Sequence, residues 1–289
     1  MVTYEEKFFR SRDGLQLHYR DYAGAPDATP VLCLHGLTRN GGDFAPVAAQ
    51  LAGRRRVIAP DQRGRGRSQY DPQWLNYHPL TYVDDMWLLL QYLSIDRVVA
   101  IGTSMGGLMA MLMAAARPSL FAGIVLNDIG PELDPVGAAR IREYAGRLPP
   151  VASWHDAVEQ MKLMFGEALP DYSEDRWLEF THRTFLVGPD GSPQLAADPR
   201  IGDALRAIHP PPGAAQAMWF AFASARHIPI LALRGAHSDL LSQATFERMQ
   251  REHPKLTAVT VPNRGHPPQL DEPECVEAIE KFLRDEVTT

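Results

Sequence analysis

The residues most able to do chemistry surround one serine: Gly102-Thr103-Ser104-Met105-Gly106, followed by Gly107. The apolar run Arg97 to Ile101 precedes it and the apolar stretch Leu108 to Ala116 follows, so a buried strand turns sharply into a buried helix. Such a turn projects Ser104 above the sheet. The small residues two before and two after it keep neighbouring chain from colliding there. The free N–H groups at the helix start face developing negative charge.

A serine hydroxyl is a weak nucleophile and needs a general base, which in turn needs an orienting acid. Of ten histidines, His266 is the candidate base, because Asn263-Arg264-Gly265-His266 follows the last strand-like run. It therefore lies at the strand carboxyl ends, where open α/β sheets bind ligands. His35 also ends a strand, but Gly36 beside it points to a structural, hydrogen-bonded role. Two aspartates satisfy the chain order Ser…Asp…His: Asp239, just beyond the run Ile228 to Leu233, and Asp128, at the end of Gly123 to Leu126. Asp239 is favoured because the short turn Gly235-Ala236-His237-Ser238-Asp239 gives it reach, while Asp128 could serve to anchor the segment that follows. No histidine pair with a carboxylate has metal-ligand spacing, so neither metal nor cofactor is expected.

These groups are positioned by alternating elements. Two short strands flank the turn Asp13-Gly14, and apolar runs recur at Pro30–Leu34, Arg56–Pro60 and Leu256–Val261. Helical patterns occupy Thr81–Leu93, Thr245–Glu252 and Pro273–Arg284, the first with a capping-box-like Thr81-x-x-Asp84. The pattern predicts an α/β sheet. It stops between residues 131 and 213, a helix-patterned stretch without a convincing buried strand. The expected organisation is a core from residues 1–130 and 214–289 with a helical cap, residues 131–213, inserted over the ligand edge.

Five motifs occur in an order that resembles the α/β-hydrolase superfamily, in its capped esterase, lactonase and carbon–carbon hydrolase branch. They are Leu34-His35-Gly36-Leu37, Asp61-Gln62-Arg63-Gly64-Arg65-Gly66-Arg67-Ser68, the Ser104 motif, Gly235 to Asp239, and Gly265-His266 through Glu272-Pro273. The resemblance spans essentially the chain outside the insertion. It implies an α/β-hydrolase fold with a mostly parallel sheet, with Ser104 as nucleophile, His266 as base and Asp239 as acid. It also implies an oxyanion hole from the backbone N–H groups of Leu37 and Met105, and a chiefly structural role for the arginine-rich loop. Fixed amide donors at those two places would stabilise a tetrahedral oxyanion.

The 289 residues carry 29 Lys+Arg and 35 Asp+Glu, a net charge of −6, which gives no basic footprint for nucleic acid. Two cysteines make no disulfide framework, and neither a signal peptide nor a run long enough to span a bilayer is visible. The expectation is a cytoplasmic protein with no membrane partner. Ser104 sets the chain apart from dehalogenases and epoxide hydrolases, which place aspartate at that position. The expected activity is a carboxylesterase working on a small ester through an acyl-enzyme. A lactonase or carbon–carbon hydrolase on the same triad is the alternative. A hydrolase-like ligand receptor with slow turnover, or a perhydrolase, is the further option.

Overall fold

The apolar runs become strands, and those inside the sheet are buried on both faces, whereas Leu256–Val261 forms a half-exposed edge strand. The structure, a computed structural model, describes residues 2–287. Its strands are β1 (Glu5–Arg10), β2 (Gln16–Tyr22), β3 (Val31–Leu34), β4 (Val57–Pro60), β5 (Val98–Thr103), β6 (Phe121–Asn127), β7 (Phe185–Val187), β8 (Pro193–Leu195), β9 (Ile230–Gly235) and β10 (Leu256–Val261). Eight of them form one sheet in the order β1-β2-β4-β3-β5-β6-β9-β10. The pairs β1/β2 and β2/β4 are antiparallel and the rest parallel. This is the α/β-hydrolase fold, as expected.

Successive side chains of a strand enter opposite layers, and in β3 both layers are dry. Leu32 and Leu34 join one core cluster while Val31 and Cys33 join the other. Helices α1 (Ala45–Leu51), α2 (Pro79–Tyr92) and α3 (Met105–Ala116) precede the insertion. Then follow α4 (Pro135–Tyr144), α5 (Trp154–Phe165), α6 (Glu174–Thr184), α7 (Arg200–Ala207), α8 (Ala214–Ser224), α9 (Gln243–Glu252) and α10 (Pro273–Asp285). Met86 of α2, Met109 of α3 and Phe222 of α8 cover one face of the sheet; Val47 of α1 and Ile279 of α10 cover the other.

Three local details depart from the sequence expectation. Helix α2 begins at Pro79, where the ring of His78 accepts the Leu80 N–H, so the Thr81-x-x-Asp84 pattern is not its cap. Helix α3 begins directly after Ser104, three residues earlier than its apolar pattern. The stretch between residues 131 and 213 is not purely helical. It holds α4 to α7 and also the hairpin β7/β8 around Pro189-Asp190-Gly191, with Gly191 at φ +83°. Met161, Phe165, Trp177 and Phe180 form a separate apolar cluster within this stretch.

Candidate active site

Ser104 occupies the sharp turn between β5 and α3, at φ 52° and ψ −117°, a conformation that costs a non-glycine residue energy and needs tight surroundings to persist. The surroundings are tight. A Cβ on Gly106 would lie 1.9 Å from the Leu34 carbonyl oxygen, and one on Gly102 would lie 2.5 Å from the Gly106 carbonyl oxygen. The Ser104 N–H is held by the Asn127 carbonyl oxygen at 3.0 Å, which locks the turn to the end of the neighbouring strand β6.

His266 reaches this turn from the loop after β10. Its Nε2 lies 3.0 Å from Ser104 Oγ and its Nδ1 2.7 Å from Asp128 Oδ2. A carboxylate behind Nδ1 keeps the proton there and leaves the Nε2 lone pair facing the serine hydroxyl. The Asn127 side chain donates 2.8 Å to the Pro268 carbonyl oxygen, and so ties the histidine loop to β6 as well.

The carboxylate that meets His266 is that of Asp128, and the structure does not bring Asp239, the favoured candidate, to the histidine. Asp239 faces away, with its two oxygens 2.6 and 2.9 Å from Nε and Nη2 of Arg140 on α4. Burial opposes its ionisation, but the Arg140 guanidinium prevails and holds its carboxyl below the usual carboxylate range. The geometry has a simple origin. Strand β6 lies between β5, which carries Ser104, and β9, so a side chain from the end of β6 arrives one strand away from the serine. After β9 the chain turns so that Ser238, not Asp239, meets that carboxylate.

Asp128 is fully buried, at φ 54°, and its charge is met by three donors. The Gly235 N–H binds Oδ1 at 2.7 Å, while the Ser238 hydroxyl, at 2.6 Å, and His266 share Oδ2. Sequence reasoning missed Asn127, Ser238 and the Gly235 amide as parts of the site. The one signal for them was a polar pair, Asn127-Asp128, ending an otherwise wholly apolar buried strand.

The loop after β3 is pinned on both sides of Leu37. The Gln62 N–H donates to His35 Nε2 at 3.0 Å, so Nδ1 carries the proton and donates 2.7 Å to the Gly36 carbonyl oxygen. In a trans peptide the next N–H points the opposite way, which aims the Leu37 amide. Arg65 Nε binds the Leu37 carbonyl oxygen at 2.8 Å and stops the following peptide from rotating. Burial pushes the His35 pKa down to about 4, so the ring stays neutral. His35 is structural, as its context predicted.

The arginine-rich loop is structural too. Arg63 is buried among Asp13, Asp71 and Asp85, with contacts of 2.6 to 2.7 Å to each. Arg65 is wholly buried, its guanidinium 4.6 Å from the Tyr82 ring centroid. This loop is also stitched to the insertion, through Gly66 N–H to Ala196 and Asp198 N–H to Gly64, each at 2.8 Å.

A small cavity of about 50 Å³ lies over Ser104 and His266. Leu37, Ile141, Tyr144, Phe165 and Phe180 line it, with Arg39 and Asp43 at one wall. The last two form an ion pair that also binds the insertion, Arg39 donating to Thr184 Oγ1. Phe165 thus lines the cavity as well as packing in its cluster, whereas Met161 and Trp177 only pack there. Burial pushes the thiols of Cys33 and Cys275 up, away from reactivity. Among the described residues, no group of three His, Cys, Asp or Glu side chains is arranged to hold a metal ion, and no helix is long and apolar enough to cross a membrane.

Comparison with known proteins agrees with this architecture. A family profile described as alpha/beta hydrolase fold matches residues 29–273. A 3-hydroxybutyrate-oligomer hydrolase of Cupriavidus necator is 33% identical over 93% of this chain and 92% of its own length. A 2-(acetamidomethylene)succinate hydrolase of Mesorhizobium japonicum is 26% identical over 88% of this chain and 87% of its own. The crystal structure of an alpha/beta hydrolase from Novosphingobium aromaticivorans superposes with a TM-score of 0.92 at 41% identity, covering 98% of this chain and 99% of that one. A strand-turn-helix serine, a histidine loop after the last strand, and relatives matched along nearly their whole length leave one assignment: the chain belongs to the alpha/beta hydrolase fold family and is a hydrolase of that superfamily.

Proposed function

We propose that the chain hydrolyses small carboxylic esters through an acyl-enzyme, with Ser104 as nucleophile, His266 as general base and Asp128 as the orienting acid. The observation that carries this is the unbroken relay Ser104 Oγ, His266 Nε2, His266 Nδ1, Asp128 Oδ2 at 3.0 and 2.7 Å. Ser104 attacks the ester carbonyl while His266 takes its proton. The N–H groups of Leu37 and Met105 receive the oxyanion, and such fixed donors lower the barrier by several kcal/mol. His266 then gives the proton to the departing alcohol, and water repeats the sequence to release the acid.

The small cavity and the similarity to a 3-hydroxybutyrate-oligomer hydrolase favour short hydroxyacid esters as the substrate class. Core from residues 1–130 and 214–289 and cap from 131–213 remain the proposed division, with the cap walls Ile141, Tyr144, Phe165 and Phe180 setting acyl length. The similarity to a 2-(acetamidomethylene)succinate hydrolase makes that compound the second substrate to try. The test is a fluorophosphonate label located by mass spectrometry, together with a panel of p-nitrophenyl esters, lactones and 3-hydroxybutyrate dimers and trimers. Labelling on Ser104 and preference for the short esters support the proposal. Turnover that persists in Ser104→Ala rejects it.

A further inference from the structure

The loop after β9 was expected to supply the acid, and it supplies a hydrogen-bond donor to the acid instead. Ser238 Oγ lies 2.6 Å from Asp128 Oδ2, the same oxygen that accepts from His266 Nδ1. The direction of that bond is set by the rest of the hydroxyl's surroundings. The N–H groups of Leu240 and Leu241 donate to Ser238 Oγ at 3.2 and 3.0 Å. A hydroxyl has one proton and two lone pairs. Both lone pairs are occupied, so the proton points at Asp128.

We infer that Ser238 is a positioning residue for the general base, which fixes the Asp128 carboxylate and limits how strongly that carboxylate draws a proton onto His266. The inference rests on the triad proposed above. Each donor to a carboxylate disperses its charge and weakens it as a partner for imidazolium. Removing the Ser238 donor leaves Oδ2 to His266 alone, so the imidazolium becomes better stabilised and the base titrates at higher pH. The same removal frees the carboxylate to rotate about its remaining bonds, so turnover falls. The charged groups near His266 are held by partners of their own: Arg140 by Asp239, from α4 and the β9 loop; Arg39 by Asp43 across the cavity; Arg264 of the histidine loop by Glu272 and by Asp171 from the segment between α5 and α6; and Arg234 of β9 by the Leu241 and Ala236 carbonyl oxygens.

The experiment is the pH profile of kcat/KM on p-nitrophenyl butyrate for the full chain, for Ser238→Ala and for Ser238→Thr. In Ser238→Ala the acidic limb should move up by about half a pH unit and kcat should fall about fivefold. Ser238→Thr keeps the hydroxyl and should restore both. Should the alanine variant fail to fold, Ser238→Cys, whose thiol is a weak donor, should shift the limb the same way. A uniform loss of rate with the limb unmoved, or no change at all, overturns the inference. Asp128→Asn separates this from the parent proposal: full activity in that variant sinks the triad, while an inactive Asp128→Asn beside an unshifted Ser238→Ala sinks only the role of Ser238.

Discussion

Asp128 Oδ2 lies 2.7 Å from His266 Nδ1, and a buried carboxylate from the end of β6 thereby meets a histidine from the loop after β10 across 138 positions of sequence. The contact is possible because β6 is bordered by the serine-bearing strand on one side and by β9 on the other. It leaves Asp239 free to bind the insertion through Arg140.

The serine turn predicts a steep dependence on glycine. A methyl group on Gly106 would meet backbone at 1.9 Å, and backbone cannot move aside as a flexible side chain can. Gly106→Ala should cost about 3 kcal/mol or more and abolish ester hydrolysis. Gly191→Ala, in an open turn at φ +83°, should cost about 1 kcal/mol and spare activity. Thermal melts of the two variants check the contrast.

Arg63 distinguishes a structural arginine from a substrate anchor. It is enclosed by three carboxylates, so Arg63→Met should strand buried charge and lower stability by about 3 to 5 kcal/mol. Its KM for neutral and anionic esters should change equally, because the side chain does not reach the cavity. A selective rise in KM for anionic esters would contradict this assignment.

His35 makes stability depend on pH in a definite direction. Its folded pKa, about 4, lies below the ordinary 6.5, so the unfolded chain binds the proton more readily. The stability it contributes is complete above pH 6.5 and is lost as the pH falls toward 4, by roughly 3 kcal/mol. In His35→Gln, urea unfolding should show a drop between pH 7 and 4.5 that is smaller by roughly 2 kcal/mol. An unchanged drop would mean the ring is not the group responsible.

The strands and the nucleophile were legible because their signals are local. A run such as Val98 to Ile101, apolar throughout, is typical of a strand buried on both faces of a parallel sheet, and Ser104 sits between that run and an apolar helix. Which aspartate reaches His266 was not legible. Asp128 and Asp239 both follow buried strands in the correct chain order, and only the path of the β9 loop, with Ser238 turned inward and Asp239 outward, separates them. The β7/β8 hairpin escaped notice because its strands are three residues long and half of their side chains are exposed. The turn Pro189-Asp190-Gly191 was the sign that it was there. Helix α3 starts early because its first turn contains two glycines, which carry no apolar pattern yet are required by close approach, Gly106 to Leu34 of β3 and Gly107 to Ile129.

The central claim is that Asp128 orients His266, and the most direct measurement is kcat for Asp128→Asn beside Asp239→Asn on p-nitrophenyl butyrate. Asparagine at 128 offers its amide to Nδ1 and reverses the imidazole tautomer, so kcat should fall by about 10³ to 10⁴. Asparagine at 239 weakens only the Arg140 contact, and kcat should stay within about threefold of the parent. A severe loss in Asp239→Asn with activity retained in Asp128→Asn would contradict the account.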